Sequence, residues 1–399
     1  MKVLVLSHLY PSTVHETNGV FVNEQVKELA AQGCDITVVS PVKLAPFPLN
    51  KVSAKWKAYA DCPYEDTRDG IKVYYPRYIS PPKMILFKHT GQFMYKAVED
   101  LVSKLHKEQN FDLIHTHVAL PDGAAAYRLS KKLNLPYVLT IHGQDLQKTV
   151  HKNEACRREI GKAIENAERL ILVSNKLARL KDKFYPEINT PVSVIFNGVN
   201  KFFLQKDVVE SKGESYFSTE GPKLLSVSNL YTEKGIEDNI RAVKELTKKY
   251  KTLEYIIVGK GYDEDRLKNL VSDLGLTNHI RFIGAKKNNE VKQIMRQCDI
   301  FTMPSTNESF GVVYIEAMAC GKPVIGCYGQ GIEDIVEHGK TGFMVNPHSP
   351  DEIVQVCEEL LTDDDYRAEV GNEAYNVVLK RFTWEIAAKE IVTVYQNSL

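Results

Sequence analysis

Short runs of β-branched and other apolar residues alternate with helical patterns along the first half of the chain. In the first helical pattern, near residues 20–32, apolar positions recur at helical spacing, and Gly33 follows where a C-terminal cap is expected. The runs that we predict as strands are Val3 to Ser7, Ile36 to Ser40, Leu113 to His117, Pro136 to His142 and Leu170 to Ser174. This alternation predicts a parallel α/β domain.

The same alternation starts again after a Gly-Pro pair, which predicts a second α/β domain of similar build. Its predicted strands are Lys223 to Ser228, Leu253 to Val258, Ile280 to Ile283, Ile300 to Met303 and Pro323 to Cys327. Residues 201–220 are polar and lack periodicity, so we place a boundary near residue 205 and divide the chain into 1–205 and 206–381. Residues 382–399 form a predicted helix with an apolar stripe. The first domain is a candidate partner for it, although periodicity alone assigns none.

The composition is that of an ordinary globular protein, with 43% apolar and 26% charged residues. Lys plus Arg and Asp plus Glu both number 51 in the 399 residues, so no global basic excess exists to hold nucleic acid. The seven cysteines are scattered without a Cys-x-x-Cys pair and are expected to be reduced. The first residues are too weakly apolar for a signal peptide, and no segment approaches a membrane helix of roughly 18 to 20 apolar residues. We therefore expect a cytoplasmic protein with peripheral membrane contact at most.

The most informative segment is residues 304–321, a polar turn that follows the predicted strand Ile300 to Met303 and leads into a helix. Ligands bind at this edge of parallel sheets, and N–H groups near Phe310 at the helix start attract phosphate or sugar oxygens. Glu308 and Glu316 are eight residues apart, about 12 Å along a helix. Glycosidase carboxyl pairs lie about 5 Å or under about 10 Å apart, so this is not a hydrolytic pair. Such a spacing alone is typical of a solvated helix face, but the strand-turn-helix setting favours two contacts along one long ligand.

In this setting the Glu-x7-Glu spacing resembles the signature of the family 4 glycosyltransferases, which have the GT-B fold. The resemblance covers nearly the whole chain. Its matching segments are Gly19 before the first helix, Thr140 to Asp145, Asn197 to Val199, Lys234-Gly235, Gly329 to Gly331 and Gly342 to Val345. The resemblance implies an α/β protein with two facing Rossmann-like domains, an interdomain cleft and a C-terminal helix. The first domain would bind the acceptor, and the second would bind the nucleotide-sugar donor.

The resemblance also implies roles for residues of this chain. Glu316 would hold the donor's ribose hydroxyls, Glu308 would contact the transferred hexose, and Lys234 would bind the diphosphate. Both glutamates suit these contacts, because an ionised carboxylate only accepts hydrogen bonds. The implied donor site comprises Gly19, Asn229, Lys234, Ala285, Glu308, Phe310, Gly311, Val312 and Glu316.

The reaction implied by the resemblance is a retaining, front-face transfer of a hexose from a nucleotide-sugar to an acceptor hydroxyl, without a metal or another cofactor. The implied catalytic residues are His142, Glu308 and Lys234, and the acceptor-side residues are His117 and Asp145. We expect Asp145 to orient His142 by a hydrogen bond. In a metal-independent reaction, Lys234 and two helix N-termini must balance the charge of the leaving diphosphate. Uridine and guanosine donors both fit. Family frequency favours UDP, with base contacts near Ala285 and Lys286.

One position departs from the family pattern. Asn229 stands where family members often carry Arg, so a cation beside the diphosphate is missing. The residues that could replace this cation are Lys260, Arg266, Lys286 and Lys287. The departure leaves open a noncatalytic nucleotide-sugar-binding subunit, and a nucleotide-sugar epimerase of the same architecture is a further alternative. Donor consumption without acceptor would favour the epimerase, and donor binding without turnover would favour the subunit.

His115 and His117 lie on one face of a predicted strand, a spacing that also occurs in metal sites. No third ligand is evident, so packed or hydrogen-bonded histidines are the simpler interpretation, with an acceptor-side contact as the alternative. His142 alone would also be typical of a packed core histidine, and it is the surrounding segment that favours a functional role.

Residues 43–107 hold twelve Lys and Arg against six Asp and Glu, interleaved with aromatic residues. Such a surface is a candidate contact for anionic lipid and for a lipid-linked acceptor. This half of the chain most resembles enzymes that build bacterial cell-surface polysaccharides, including those of the teichuronic acid type.

Overall fold

The structure, a computed structural model, describes residues 1–81, 86–205 and 215–399. It divides into two compact units: Met1–Asn197 together with Trp384–Leu399, and Gly198–Thr383. Each unit has its own buried apolar cluster around a sheet whose strands are mostly or entirely parallel.

The division lies before the predicted boundary near residue 205. The short helix Lys201–Leu204 buries Phe203 and contacts helix Val312–Ala319, so it belongs to the second unit. A polar sequence without periodicity could not reveal this contact, because a helix of four residues is too short to show a periodic pattern. Residues 206–214 of the predicted linker lie outside the described residues.

The first unit is built on an eight-stranded sheet of order β10-β9-β8-β7-β1-β2-β5-β4. Neighbouring strands pair in parallel, apart from the antiparallel β4 and β5, and β3 pairs with β6 separately. The strands are β1 (Lys2–Leu6), β2 (Asp35–Val39), β3 (Val42–Lys43), β4 (Glu65–Arg68), β5 (Ile71–Tyr74), β6 (Arg77–Tyr78), β7 (Leu113–His117), β8 (Tyr137–Ile141), β9 (Arg169–Leu172) and β10 (Val192–Val194). The five strands predicted here agree with the structure to within one or two residues at each end. Their apolar runs fit a parallel sheet that is covered on both faces.

The helices before residue 197 connect these strands. They are α1 (Val20–Ala31), α2 (Leu49–Val52), α3 (Ala54–Asp61), α4 (Thr90–Gln109), α5 (Ala124–Leu133), α6 (Gln144–Gln147), α7 (Glu154–Glu165) and α8 (Asn175–Phe184). The amphipathic pattern predicted for residues 20–32 is confirmed, since α1 buries Val22, Val26 and Leu29.

The second unit has a six-stranded parallel sheet of order β13-β12-β11-β14-β15-β16. Its strands are β11 (Lys223–Val227), β12 (Glu254–Val258), β13 (Ile280–Phe282), β14 (Ile300–Thr302), β15 (Val324–Cys327) and β16 (Phe343–Val345). Its helices are α9 (Lys201–Leu204), α10 (Ile236–Lys249), α11 (Glu264–Asp273), α12 (Asn288–Gln297), α13 (Val312–Ala319), α14 (Pro350–Thr362) and α15 (Asp364–Arg381). The order places β11 in the interior of the sheet beside β14, which decides where the loops after these two strands begin.

The last helix, α16 (Trp384–Gln396), returns to the first unit and packs against α1. Trp384 and Ile391 join the core around Val22. The Tyr395 hydroxyl lies 2.6 Å from Nδ1 of His115 in the sheet. The apolar stripe of the terminal helix is therefore buried in the first unit.

The side chains of six cysteines are buried and that of Cys320 is half-buried, and all seven are free thiols, as predicted. Across the described ranges, no helix has the length and apolar character needed to cross a membrane.

Ile391→Ala should lower the free energy of unfolding of the first unit by about 2–5 kcal/mol, because it opens a cavity in the core that α16 shares with α1. Both tryptophans, Trp56 and Trp384, lie in this unit, so tryptophan fluorescence during a urea titration reports its unfolding. The exposed Thr393→Ala on the same helix is the control, with an expected change within about 0.5 kcal/mol. Equal effects of the two substitutions would contradict a structural role for α16.

Candidate active site

The carboxyl ends of β11 and β14 lie side by side, because these strands pair in parallel. The loop after β11 contains the short helix Thr232–Lys234, and the loop after β14 leads into α13. The Thr306 N–H donates to the Glu233 carbonyl at 2.8 Å, and the Ser305 hydroxyl donates to the same oxygen at 3.0 Å. These hydrogen bonds hold the two loops against each other.

Gly235 allows this close approach. Its φ is +70°, and a Cβ at this position would lie 2.3 Å from the carbonyl oxygen of Pro304. A side chain would therefore meet both backbone strain and a steric clash. The Lys234-Gly235 pair is one of the segments that match the family pattern, and the packing of these two loops explains why its second residue is glycine.

Lys234 and Glu308 form an ion pair between the two loops. Nζ of Lys234 donates to Oε2 of Glu308 at 2.7 Å, and the two side chains are only 18% and 15% exposed. The main chain of Glu308 is also held: its N–H donates to Oε1 of Gln330 at 3.0 Å, and its carbonyl accepts from the Gly331 N–H at 3.2 Å. The structure thus brings together two of the three predicted catalytic residues. It also gives a local role to Gln330 and Gly331.

Helix α13 begins at Val312, directly after this turn. Its N-cap residue is Gly311, with φ +93°, and glycine has no side chain that could cap the helix end. The preceding Phe310 is buried, and its ring lies 6.0 Å from that of Phe382. The positive end of the helix dipole is therefore at the turn that carries Glu308, where negative ligand groups are favoured.

Glu316 lies on α13 and is half-buried. Its carboxyl group makes no hydrogen bond or ion pair with any residue that the structure describes. Burial raises the pKa of Glu316 to about 8, so the group is protonated at neutral pH in the free protein. The predicted acceptor-only role therefore requires loss of this proton when a ligand binds.

Asn229 is exposed after β11 and brings no charge to this edge. Of the four cations that could compensate, Arg266 is held by Asp263 and Glu237, and Nζ of Lys286 lies 3.2 Å from Oε1 of Glu290. The other two, Lys260 and Lys287, are exposed, and neither forms an ion pair with a residue of the described ranges.

Ala285 lies away from the ion pair, after the edge strand β13. The Gly284 carbonyl accepts the Gly259 N–H at 2.9 Å, which joins this loop to the loop after β12. Three strand spacings separate β13 from β14, so the carboxyl ends of these strands are roughly 14 Å apart along the sheet edge. This span suits an extended ligand and not a single small group.

In the first unit, three histidines form a row at the ends of β7 and β8. Nδ1 of His117 lies 3.0 Å from Nε2 of His142, and the ring centroids of His115 and His117 are 4.4 Å apart. Burial lowers the pKa of His115 and of His142 to about 3, and burial together with its neighbours lowers that of His117 well below the ordinary value. All three imidazoles are therefore neutral at physiological pH. The structure brings the predicted residues His117 and His142 into contact.

The expected hydrogen bond between Asp145 and His142 is absent from the described residues, so this expectation was wrong. The carboxylate of Asp145 instead accepts the backbone N–H groups of Ala119 and Leu120, at 3.0 and 3.2 Å. Burial raises the pKa of Asp145 to about 6, although these two amides favour its charged form. Asp145 is close to His142 in the sequence, which suggested this histidine as its partner. In the structure, the turn after β7 instead brings two backbone N–H groups to the carboxylate, and buried N–H groups need an acceptor.

The half-buried His8 and the fully buried Asp122 form a pair that was not predicted from the sequence. Nδ1 of His8 lies 2.8 Å from Oδ1 and 2.9 Å from Oδ2 of Asp122. The backbone N–H of His8 also donates to Oδ2, at 3.2 Å. Burial alone would lower the pKa of His8, but the charge and hydrogen bond of Asp122 reverse this and raise it. The available signal was that polar residues follow the adjacent strands β1 and β7 at one sheet edge.

Gly19 precedes α1 with φ +66°, and a Cβ there would lie 2.2 Å from the carbonyl carbon of Leu9. Glycine is therefore required by the loop after β1 itself. Its predicted closeness to a diphosphate stays a prediction.

Two family models match the chain. The one described as Glycosyltransferase Family 4 matches residues 19–201, and the one described as Glycosyl transferases group 1 matches residues 208–377. An uncharacterized glycosyltransferase from Methanocaldococcus jannaschii is 30% identical over 304 residues, which are 76% of this chain and 79% of the relative. The chain belongs to the family 4 glycosyltransferases.

Two further comparisons extend along the whole transferase. A Bacillus subtilis protein, provisionally named a teichuronic acid biosynthesis glycosyltransferase, is 28% identical over 401 residues, 100% of this chain and 98% of the relative. The solved structure of an Anabaena protein in complex with UDP has a TM-score of 0.73 at 21% identity, covering 99% of this chain and 100% of that one. The predicted GT-B fold and transferase activity are thereby confirmed.

Within the described part of the transferase, no three His, Cys, Asp or Glu side chains are grouped so that they could hold a metal ion. His115 and His117 contact each other and other polar side chains, as in the simpler interpretation of their spacing. Metal independence of the reaction stays a prediction.

Glu316→Gln should raise the thermal stability of the transferase at pH 8 by several degrees and leave it nearly unchanged near pH 4.5. In the unfolded chain Glu316 loses its proton near the ordinary carboxyl pKa, whereas in the folded state burial holds that pKa at about 8. The free energy of unfolding therefore falls as pH rises through this window in the wild type, and glutamine removes that fall.

Thermal unfolding scans between pH 4.5 and 8 provide the measurement, with the exposed Glu369→Gln as a control for the loss of one carboxyl group. A constant difference between wild type and Glu316→Gln at every pH would contradict a raised pKa.

Proposed function

We propose that the protein is a retaining, metal-independent transferase that moves a hexose-type sugar from a UDP-sugar to an acceptor hydroxyl during the synthesis of a cell-surface polysaccharide or glycolipid. The observation that carries this proposal is the ion pair of Lys234 and Glu308 at the start of α13, 2.7 Å long and largely buried. A cation, a carboxylate and a helix N-terminus at one sheet edge suit a substrate with a diphosphate and a sugar.

The diphosphate of the donor would meet Lys234. The Lys234 ammonium has three N–H groups and donates one of them to Glu308, so others remain for phosphate oxygens. The N-terminus of α13, and that of α10 directly after Gly235, would add partial positive charge. Charge that develops on the leaving diphosphate is thus balanced by groups that are already in position.

Glu308 would contact the transferred hexose, and Glu316 would hold the ribose hydroxyls. Glu308 is held by Lys234 through its side chain and by Gln330 through its backbone N–H, so its carboxylate has a fixed position from which it would orient the sugar. Glu316 has a buried carboxyl group without a partner among the described residues, and two ribose hydroxyls would supply the missing donors. Donor binding would then release the Glu316 proton.

One comparison supports a uridine nucleotide, and the strand order supports a place for its base. The Anabaena protein with the same fold was solved in complex with UDP. In the present chain, Ala285 is exposed just after β13, which is two strand spacings, roughly 10 Å, from β11, the strand that leads to Lys234. A base would lie on that side of the sheet edge when the diphosphate lies at Lys234.

The acceptor would bind in the first unit, near His117 and His142. The Bacillus subtilis relative in teichuronic acid biosynthesis supports a carbohydrate polymer as its destination. Nε2 of the neutral His142 contacts His117, and its buried Nδ1 has no partner among the described residues, so Nδ1 is the atom that would exchange a hydrogen bond with the reacting hydroxyl.

Peripheral membrane contact at the inner face of the cell membrane is part of the proposal. Large apolar side chains are exposed between residues 44 and 86, namely Leu44, Phe47, Val52, Tyr64, Ile79 and Leu86. Exposed lysines accompany them, including Lys51, Lys55, Lys57 and Lys88. Apolar side chains with basic residues between them suit an anionic lipid surface. Residues 82–85 of this region lie outside the described residues.

A panel of UDP-, GDP- and ADP-sugars tests the donor site by thermal-shift fluorimetry, with magnesium in one series and a chelator in the other. We expect stabilisation by a UDP-sugar in both series. Glu316→Ala should weaken donor binding about 10- to 150-fold, because hydrogen bonds to a charged group are worth about 1.5–3 kcal/mol. The donor affinity of Glu316→Gln should lie between those of Glu316→Ala and wild type, because an amide can accept a hydrogen bond but carries no negative charge.

The exposed Glu369→Ala in the same unit is the matched control and should bind like the wild type. Stabilisation by a nucleotide-sugar in the magnesium series but not in the chelator series would contradict metal-independent binding. Equal donor affinity of Glu316→Ala and wild type would contradict the proposed donor site.

His142→Ala should lower the turnover number by about 10²-fold or more while leaving donor affinity nearly unchanged, because His142 lies in the other unit from the donor residues. Single-turnover rates and donor dissociation constants separate the two effects. The exposed His89→Ala is the control. Parallel losses of stability, affinity and turnover in His142→Ala would indicate a structural role only.

A further inference from the structure

A cavity of about 510 Å³ lies in the first unit beside the ends of β1 and β3. Its polar lining consists of imidazole, ammonium, amide and hydroxyl groups, and none of the described residues that line it is Asp or Glu. A second cavity of about 200 Å³ shares four lining residues with the first, His8, Leu9, Lys43 and Tyr78. These four residues therefore lie where the two cavities meet.

Lys43 is the only lysine or arginine among the described residues that line the larger cavity. Its side chain is half-buried, and it makes no ion pair or hydrogen bond with any residue in the described ranges. Burial lowers the pKa of Lys43, and the nearby Lys55 lowers it further. A partly desolvated cation without a counter-charge is costly, so a bound anion would stabilise it.

His8 adds a second group that faces these cavities. Its Nδ1 lies within hydrogen-bond distance of both oxygens of the fully buried Asp122, which fixes the ring and leaves Nε2 as the remaining polar atom. Asp122 raises the pKa of His8, so Nε2 carries a proton over a wider pH range than in a free histidine. Tyr59 and Asn18 contribute further hydrogen-bonding groups to the wall.

Two carboxylates of the described residues near the cavities oppose an anion, those of Asp122 and Asp145. Asp122 lines neither cavity and is already paired with His8. Asp145 lines the smaller cavity but not the larger one. Its two oxygens already accept the N–H groups of Ala119 and Leu120. The larger cavity is therefore the part that favours negative charge.

We propose that the larger cavity binds an anionic group of the acceptor, a phosphate or a carboxylate, with Lys43 as its counter-charge and His8 as a hydrogen-bond donor. This inference rests on the proposed transferase function, because it names the class of acceptor. An uncharged sugar would leave Lys43 without a partner, whereas a sugar acid, a sugar phosphate or a lipid-linked sugar phosphate would neutralise it. All three classes of acceptor carry anionic oxygen atoms that can pair with the Lys43 ammonium group.

Binding of defined probes to the full chain tests this site. The probes are glucose 6-phosphate, glucuronate, farnesyl phosphate and uncharged glucose, at an ionic strength held constant with sodium chloride. We expect at least one charged probe to bind the wild type in calorimetric titrations, and glucose to bind at least ten-fold more weakly. Lys43→Met should weaken binding of that probe at least ten-fold, and Lys43→Arg should restore most of it.

Lys96→Met removes an exposed lysine on α4 of the same unit and should bind like the wild type. Preferential binding of farnesyl phosphate would identify a lipid-linked acceptor, and preferential binding of the other charged probes a soluble one. Either preference supports the anion site if the Lys43→Met substitution abolishes binding of the preferred probe. Equal binding to Lys43→Met and wild type, equal binding of glucose, or no binding of any charged probe would overturn the inference.

The UDP-sugar titration, run on the same variants, separates this inference from the proposed function. Lys43→Met should bind the UDP-sugar like the wild type, which also shows that it is folded. UDP-sugar binding without a Lys43-dependent anion site would overturn the inference and leave the function. A Lys43-dependent anion site without UDP-sugar binding would overturn the proposed function.

Discussion

Loops that leave adjacent parallel strands at one sheet edge have to satisfy each other's backbone hydrogen bonds, and the donor residues of the second unit depend on this constraint. The Thr306 N–H donates to Glu233, the Leu230 N–H donates to the Lys260 carbonyl at 3.0 Å, and the Gly331 N–H donates to the Glu308 carbonyl. The loops after β11, β12, β14 and β15 are thus joined into one layer. Lys234 and Glu308 meet because their loops are fixed before any ligand binds. A site of this kind needs little rearrangement to receive a charged substrate.

The two units hold their polar groups in different ways. In the second unit, opposite charges pair at Lys234 and Glu308, while Glu316 is kept neutral by burial. In the first unit, three imidazoles are kept neutral by burial. A neutral row costs less to bury than a charged one and can still exchange hydrogen bonds with a hydroxyl acceptor. The exception is His8, whose charge is favoured by Asp122.

Much of the fold was predictable, because strand and helix periods are local properties of the sequence. The predicted strands of both units agree closely with the structure, and the turn after β14 was recognised from its strand-turn-helix setting. The pairing of Lys234 with Glu308 was implied only by their separate roles in one site. The contacts that escaped prediction join residues distant in sequence: His8 with Asp122, and Asp145 with the turn after β7. Their partners depend on the order of strands in the sheet, which periodicity does not specify.

The domain boundary shows the same limit. Polar residues 201–220 looked like a linker, yet Phe203 anchors α9 in the second unit. The apolar stripe of α16 was visible in the sequence, but its place against α1 required the three-dimensional arrangement. Local patterns thus identify elements well and their long-range partners poorly.

A crystal structure of the protein with an intact UDP-sugar tests the central claim most directly. The account predicts the diphosphate within hydrogen-bond distance of Nζ of Lys234, the ribose hydroxyls at the carboxylate of Glu316, and the hexose beside Glu308. A nucleotide bound elsewhere, or one whose diphosphate leaves the Lys234 ion pair untouched while its ribose avoids Glu316, would contradict the account.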